Sequence, residues 1–193
     1  MKIVLLKGSP HKNGSSNLLA EQFQRGAEAA GHWVEGIDVG NADVHPCMGC
    51  GACGMSGNCV HHDDMIEIKK QILSADMLVF VTPIYYFGMS AQLKAVIDRF
   101  YSFNNQLSGK RLKTALITAA WDNSDQVMFF LKEHYRGICE YLGFQDQGMV
   151  LGKGCGSVPM TKQTKYPEEA YLFGKSLNYT HEHTYLPNDL LLL

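Results

Sequence analysis

Short apolar runs alternate with stretches of helical periodicity along most of the chain. Residues 3–6 (Ile-Val-Leu-Leu) and 77–81 (Met-Leu-Val-Phe-Val) are uninterrupted apolar runs, the pattern of strands covered on both faces. Residues 33–39 alternate well enough for a second strand, and residues 114–120 and 148–151 read as the fourth and fifth. Helices are expected over about 16–30, ending at Gly31, and from Asp63 or Asp64 as N-cap to about Leu73. Three more are expected over about 90–103, 124–142 (stopped by Gly143) and 168–177. Strands that alternate with helices predict an α/β fold with a parallel sheet and right-handed crossovers. Neither a repeat nor a charge run divides the chain, so residues 1–178 read as one domain, with an irregular tail over 179–193 that ends in four leucines.

The composition narrows the function classes. At 193 residues the chain can bury a full core without staples, and 46% hydrophobic with 19% charged residues is ordinary for a globular protein. A net charge of −2 gives no electrostatic footprint for nucleic acid or an anionic membrane. The opening MKIVLLKG has four consecutive apolar residues before Lys7, too few for a signal core or a membrane span. The expected address is cytoplasmic, where six cysteines read as ligands or free thiols rather than disulfides.

Four of those cysteines, Cys47, Cys50, Cys53 and Cys59, fall within thirteen residues, spaced C-x2-C-x2-C-x5-C with glycines at 49, 51, 54 and 57. Core packing has no use for a thiol every third residue. Four close thiolates can converge on one [4Fe-4S] cluster. Zinc is a second occupant, although structural zinc sites usually use two separated ligand pairs. A set of free, redox-active thiols is the third reading. His45, His61 and His62 flank the loop and are expected to face solvent, though each could replace a cysteine as ligand. Cys139 is expected as a buried small hydrophobe, and Cys155 as a plain loop thiol near the end of the fifth strand.

The loop after the first strand, Gly8-Ser9-Pro10-His11-Lys12-Asn13-Gly14-Ser15-Ser16-Asn17, opens a helix with hydroxyl and amide donors. Such a turn suits a phosphate, because a helix N-terminus offers free N–H groups and the positive end of its dipole. Neither the G-x-G-x-x-G fingerprint nor a P-loop stands here. An N-cap rich in serine and asparagine would look the same.

That loop, Asp63-Asp64-Met65 after the last clustered cysteine, and Thr82-Pro83-Ile84-Tyr85-Tyr86-Phe87-Gly88-Met89 running into an Asp98-Arg99 helix together resemble the flavodoxin-like NADPH-dependent FMN reductase family. The cysteine loop resembles the compact motif of its iron–sulfur flavoprotein branch, and the likeness spans about residues 1–155. The resemblance implies an open five-stranded parallel sheet in order 2-1-3-4-5 and non-covalent FMN. It further implies electrons from NAD(P)H or ferredoxin to a small acceptor such as a quinone or flavin, and homodimers or homotetramers. It places the FMN phosphate at Ser9, His11, Ser15, Ser16 and Asn17, with His11 where the family often has arginine. The isoalloxazine ring would lie along Pro83, Ile84, Tyr85, Tyr86, Phe87 and Gly88, with Ala119 and Trp121 on a third loop. Cys47, Cys50, Cys53 and Cys59 match the cluster ligands. No residue is singled out as a general acid or base. Asp98 and Arg99 are expected in an exposed local or interface ion pair of little energetic weight. Readings from other classes are a flavodoxin-like electron carrier or sensor without turnover, and a zinc-stabilised binding module.

Overall fold

The computed structural model describes residues 1–177, so the expected tail and its boundary lie outside the described residues. Strand β1 (Lys2–Lys7) buries Ile3, Val4, Leu5 and Leu6 completely. Because successive side chains leave a strand on opposite sides, Val4 and Leu6 enter one core while Ile3 and Leu5 enter another. Helix α1 (Ser15–Ala29) returns to β2 (Trp33–Ile37), and α2 (Met65–Ser74) leads to β3 (Met77–Tyr85). After β4 (Gly88–Met89) come α3 (Ala91–Asp98), a 3-10 turn (Arg99–Phe103) and α4 (Asn104–Ser108). The chain continues through β5 (Lys113–Ala119), α5 (Asp125–Leu142), β6 (Gln145–Gly152), α6 (Val158–Lys162) and α7 (Tyr166–Ser176).

The parallel path runs β2-β1-β3-β5-β6, with β4 antiparallel to β3. The expected order 2-1-3-4-5 is recovered once the two-residue β4 is counted apart. Helices cover both faces. Leu19, Ala20 and Phe23 of α1 join Ala170 of α7 on one side, while Ile68, Ile72, Leu93, Val96, Leu131 and Tyr135 fill the other.

Element boundaries moved where local chemistry overrides periodicity. The expected helix over 90–103 ends at Asp98 and tightens into the 3-10 turn, although Ser90 does cap it, its Oγ accepting from the Leu93 N–H at 3.3 Å. Gly143 ends α5 with φ 66°, as its position suggested. Strand β6 starts three residues before the expected 148. A bulge opposite Thr114–Leu116 leaves Gly148 at φ 136°, which hides its alternation. Helix α6 and strand β4 are too short to show a period.

Helices α1 and α7 approach until backbone meets backbone. A Cβ on Gly174 would lie 2.1 Å from the Phe23 carbonyl oxygen, and one on Gly26 would lie 2.0 Å from that of Tyr171. Gly174→Val should therefore force the helices apart and cost at least about 2 kcal/mol, the scale of overpacking. Urea unfolding followed by circular dichroism would show this as a lower midpoint, and an unchanged midpoint would refute the close contact.

Candidate functional site

The carboxyl ends of β1, β3 and β5 open into a cavity of about 710 Å³, the usual place for a ligand in an open parallel sheet and within the usual size range. Its rim is tied together by buried polar groups. Ser90 Oγ donates to the Gly8 carbonyl at 2.6 Å, and the Ser90 N–H donates to Thr82 Oγ1 at 2.9 Å. Thr118 Oγ1 donates to the Thr82 carbonyl at 2.8 Å. Gly8 is required at this junction, since a Cβ there would lie 2.6 Å from Leu93 Cβ.

Ser9, His11, Ser15 and Ser16 line the cavity, with Lys12, Asn13 and Gly14 between them. Gly14 stands at the N-cap of α1, where no side chain caps the helix, so its first-turn N–H groups keep no side-chain acceptor. Ser16 Oγ is buried without a hydrogen-bond partner. An orphaned hydroxyl beside an uncapped N-terminus suits an anionic ligand there. Asn17 stands behind the loop instead of lining it. Its Nδ2 donates to the carbonyls of His11 at 3.2 Å and Lys12 at 3.0 Å, so it holds the turn in shape.

Pro83, Ile84 and Tyr85 form the second wall, and Ala119 and Trp121 the third. Tyr86, Phe87 and Gly88 do not line the cavity. Tyr85 pairs with Gly88, which leaves Tyr86 (φ 46°) and Phe87 (φ 65°) as a two-residue turn pointing away, with Tyr86 102% exposed. Positive φ at two aromatic residues is costly, and without Asn or Gly the turn carries no sequence signal. Trp121 is 74% exposed, yet its indole rests on Gly156, where a Cβ would come within 2.3 Å of the ring.

The fourth wall, Cys155 to Val158, was not among the expected site residues. Cys155 is no plain loop thiol. It is buried, its N–H donates to the Ala120 carbonyl at 2.7 Å, and burial pushes the thiol pKa up despite hydrogen bonding to Thr161 and Thr164. Thr161 in turn donates to Ser15 Oγ at 2.9 Å, tying α6 to the phosphate loop. Glycine spacing at 152, 154 and 156 was the available signal. Lys12 was also missed. It adds a positive charge to the loop, and its Nζ stands 4.0 Å from Asp38.

The cysteine loop projects from the sheet on a clamped base. Asp63 Oδ1 accepts the Met65 N–H at 3.2 Å, and Oδ2 accepts the His45 N–H at 3.0 Å. Arg99 closes the clamp, with Nη1 at 2.6 Å from Asp63 Oδ2 and 2.9 Å from the His45 carbonyl. The expected exposed Asp98–Arg99 pair is therefore corrected. Asp98 pairs with Lys94 at the surface, whereas the Arg99 and Asp63 side chains are 2% and 1% exposed. Asp64 N-caps α2 without a side-chain bond of its own to that helix. Its Oδ2 accepts from the Asp43 N–H at 2.8 Å instead, pinning the other stem.

Above the clamp, Cys47 and Cys50 are exposed and Cys53 and Cys59 half-buried. Gly49, Gly51 and Gly54 take φ of 65°, 71° and 54°, left-handed turns that favour glycine. Among the described residues the His, Cys, Asp or Glu group with three ligand atoms within 4.8 Å of one another is His45, His61 and Asp63. The four sulfurs thus do not stand at zinc spacing, where Zn–S bonds of about 2.3 Å put thiolates about 3.8 Å apart. The donor set of four cysteines in a glycine-rich loop suits a four-iron cluster. His61 is not the solvent-facing residue expected, because its Nε2 is buried and its ring stacks on His45 at 5.1 Å.

An open parallel sheet with a phosphate-type loop at its first helix and an aromatic wall across the cavity defines a flavodoxin-like protein. The chain matches the model of the NADPH-dependent FMN reductases over residues 1–147 and belongs to that family. An iron-sulfur flavoprotein of Archaeoglobus fulgidus is 30% identical over 80% of this chain and 69% of its own. One of Methanocaldococcus jannaschii is 35% identical over 51% of each chain, so the match spans about half of that relative. Among solved structures, an NAD(P)H:quinone oxidoreductase of Methanothermobacter marburgensis shares the fold with a TM-score of 0.68 at 19% identity, over 95% of this chain and 98% of that one. No helix among the described residues is long and apolar enough to cross a membrane.

The clamp makes two measurable predictions. Burial alone would raise the Asp63 pKa, but the Arg99 guanidinium and the His45 and Met65 N–H groups hold it down to about 2. A depressed folded pKa stabilises the protein above the ordinary carboxyl value, and that contribution is lost as pH falls through about 2. Stability of the wild type should therefore drop between about pH 4 and pH 2, and Asp63→Asn should flatten that limb. Asp63→Asn should also cost about 3 kcal/mol at neutral pH by stranding a buried arginine. Chemical denaturation across that pH range checks both, and parallel curves for the two proteins would contradict the assignment.

Proposed function

We propose that the chain is an FMN-dependent oxidoreductase that takes electrons from NAD(P)H, or from ferredoxin, and passes them to a small acceptor such as a quinone or flavin. The observation that supports this best is the unpartnered Ser16 Oγ at the uncapped N-terminus of α1, inside the cavity at the sheet's switch point. Ser9, His11, Ser15 and Ser16 would hold the phosphate, helped by Lys12 and by Asn17 from behind. Pro83, Ile84, Tyr85, Ala119 and Trp121 offer apolar and backbone surface to a flat ring system. Bound FMN would supply the hydride and single-electron chemistry that no side chain here provides.

The residues themselves bind, orient and exclude water. Ser90 and Thr82 fix the distance between the phosphate loop and the ring wall through buried hydrogen bonds. No carboxylate lines the cavity among the described residues, so neither the phosphate nor an electron-rich ring meets a fixed negative charge. We assign no side chain as general acid or base.

The cysteine loop is read as the seat of a [4Fe-4S] cluster held by Cys47, Cys50, Cys53 and Cys59. Spacing, positive-φ glycines and the clamped base support this, together with the names of the relatives in Archaeoglobus and Methanocaldococcus. Such a cluster would let two-electron chemistry exchange with one-electron partners. A homodimer or homotetramer in the cytoplasm is the setting proposed.

Replacing Ser16 with Asp should abolish FMN retention, because a carboxylate at the helix N-terminus repels phosphate and takes up its N–H donors. The yellow absorbance of the purified protein measures this, and an unchanged flavin content would overturn the phosphate-loop assignment. Anaerobic purification with iron, zinc and flavin quantified together tests the cluster. Cys50→Ala is expected to lose iron while keeping FMN, and iron equal to wild type would remove the cluster reading. Negligible NAD(P)H oxidation with every quinone, dye or flavin tried, alongside fast reduction by ferredoxin, would instead make the protein an electron carrier.

A further inference from the structure

Three serine hydroxyls stand on the phosphate-type loop, and each is placed differently. Ser9 Oγ is 3.2 Å from both the N–H and the carbonyl of His11, so it is used within the loop. Ser16 Oγ has no partner. Ser15 Oγ is held from outside the loop, by Thr161 Oγ1 of α6 at 2.9 Å, a residue 146 positions away.

Thr161 is fully buried. A buried hydroxyl costs free energy unless it is bonded, and a helical threonine commonly meets this by donating to the carbonyl four residues back. Thr161 has that choice, since the Ser157 carbonyl is 2.8 Å from its Oγ1. That carbonyl already accepts the Thr161 N–H at 2.9 Å, so it keeps a partner whichever way the hydroxyl turns. The single proton on Thr161 Oγ1 therefore has two acceptors within reach, and its direction fixes what Ser15 can do. With the proton on Ser157, Ser15 donates to Thr161 and has only lone pairs left for the cavity. With the proton on Ser15, the Ser15 O–H is free for the cavity that Ser15 lines. An anion needs a donor and selects the second arrangement, and no buried group loses its last partner in the change. A hydroxyl that accepts one hydrogen bond also donates a stronger one.

The segment that carries Thr161 is fixed at its other end. The Cys155 N–H donates to the Ala120 carbonyl at 2.7 Å, and the Gly154 N–H donates to the Asp122 carbonyl at 3.1 Å. The Trp121 ring rests on Gly156. The Cys155 thiol is hydrogen-bonded to Thr161 as well, but sulfur is too weak a partner to displace either oxygen. Thr161 thus holds Ser15 against the wall that carries Ala119 and Trp121.

We propose that Thr161 is a positioning residue that makes Ser15 a phosphate donor, and that it helps the site distinguish a phosphorylated flavin from the same flavin without phosphate. This rests on the phosphate-loop reading above. Flavin-free protein titrated with FMN and with riboflavin, followed by quenching of flavin fluorescence, gives the ratio of the two affinities. Thr161→Val keeps the shape and removes the hydroxyl. It should lower that ratio roughly threefold to tenfold, the worth of one hydrogen bond, by weakening FMN and leaving riboflavin unchanged. Thr161→Ser should restore it. A threonine that served only the fold of α6 would weaken both flavins alike on removal. In a Ser15→Ala background, Thr161→Val should lower the ratio no further, because the two hydroxyls act as one unit. Should Thr161→Val lose its near-ultraviolet circular dichroism, Thr161→Ala decides by the same ratio. A folded variant that keeps the wild-type ratio, or one that loses as much with the Ser15 hydroxyl absent as present, would overturn the proposal alone. A wild type that binds FMN no more tightly than riboflavin would overturn the phosphate-loop reading and this proposal with it.

Discussion

The site depends on one buried polar junction, where Ser90 and Thr82 tie the phosphate loop, the ring wall and the third loop to one another. Loops at the carboxyl ends of parallel strands have no ladder to hold them, and their polar groups cost free energy if left buried and unpaired. Here Ser90 caps α3 and donates to the Gly8 carbonyl with the same hydroxyl, and Thr82 receives the Ser90 N–H while its carbonyl accepts from Thr118. The ends of β1, β3 and β5 and the start of α3 are thereby joined in one rim. Among the buried atoms left unpaired, Ser16 Oγ stands at the uncapped N-terminus of α1, where an anionic oxygen would accept its O–H.

A second anchor serves the cysteine loop by a different means. Two buried charges, Asp63 and Arg99, join both stems of the loop to the 3-10 turn. Burying such a pair contributes little net stability, because desolvation offsets the attraction. Its value lies in geometry, since neither partner can leave without stranding the other. The base of the loop is thereby fixed to the 3-10 turn.

Much of this was legible in the residue order. The two uninterrupted apolar runs at residues 3–6 and 77–81 carry the pattern of doubly covered strands, and their alternation with helices leaves few topologies open. Ser9, His11, Ser15, Ser16, Pro83, Ile84, Tyr85, Ala119 and Trp121 line one cavity. Other features escaped because their signals are not periodic. The Tyr86–Phe87 turn has no glycine or asparagine to announce it, so residues read as ring wall point away from the cavity. Arg99 follows Asp98 in sequence and so suggested a local pair, whereas its partner is 36 residues away. Cys155 in a glycine-rich segment looks like surface until α6 folds over it.

The sequence by itself determined the alternation of strands and helices, the phosphate-type loop and the set of four thiols, because each follows from local periodicity or from residue types at fixed spacing, while the strand order came with the family resemblance. Only the tertiary structure decided which loops meet, which charges are buried and which aromatic residues face the cavity rather than solvent. Those outcomes rest on contacts between distant segments, such as Ser90 with Gly8 and Arg99 with Asp63, and on close approaches at Gly8, Gly26 and Gly174 whose partners no local pattern encodes.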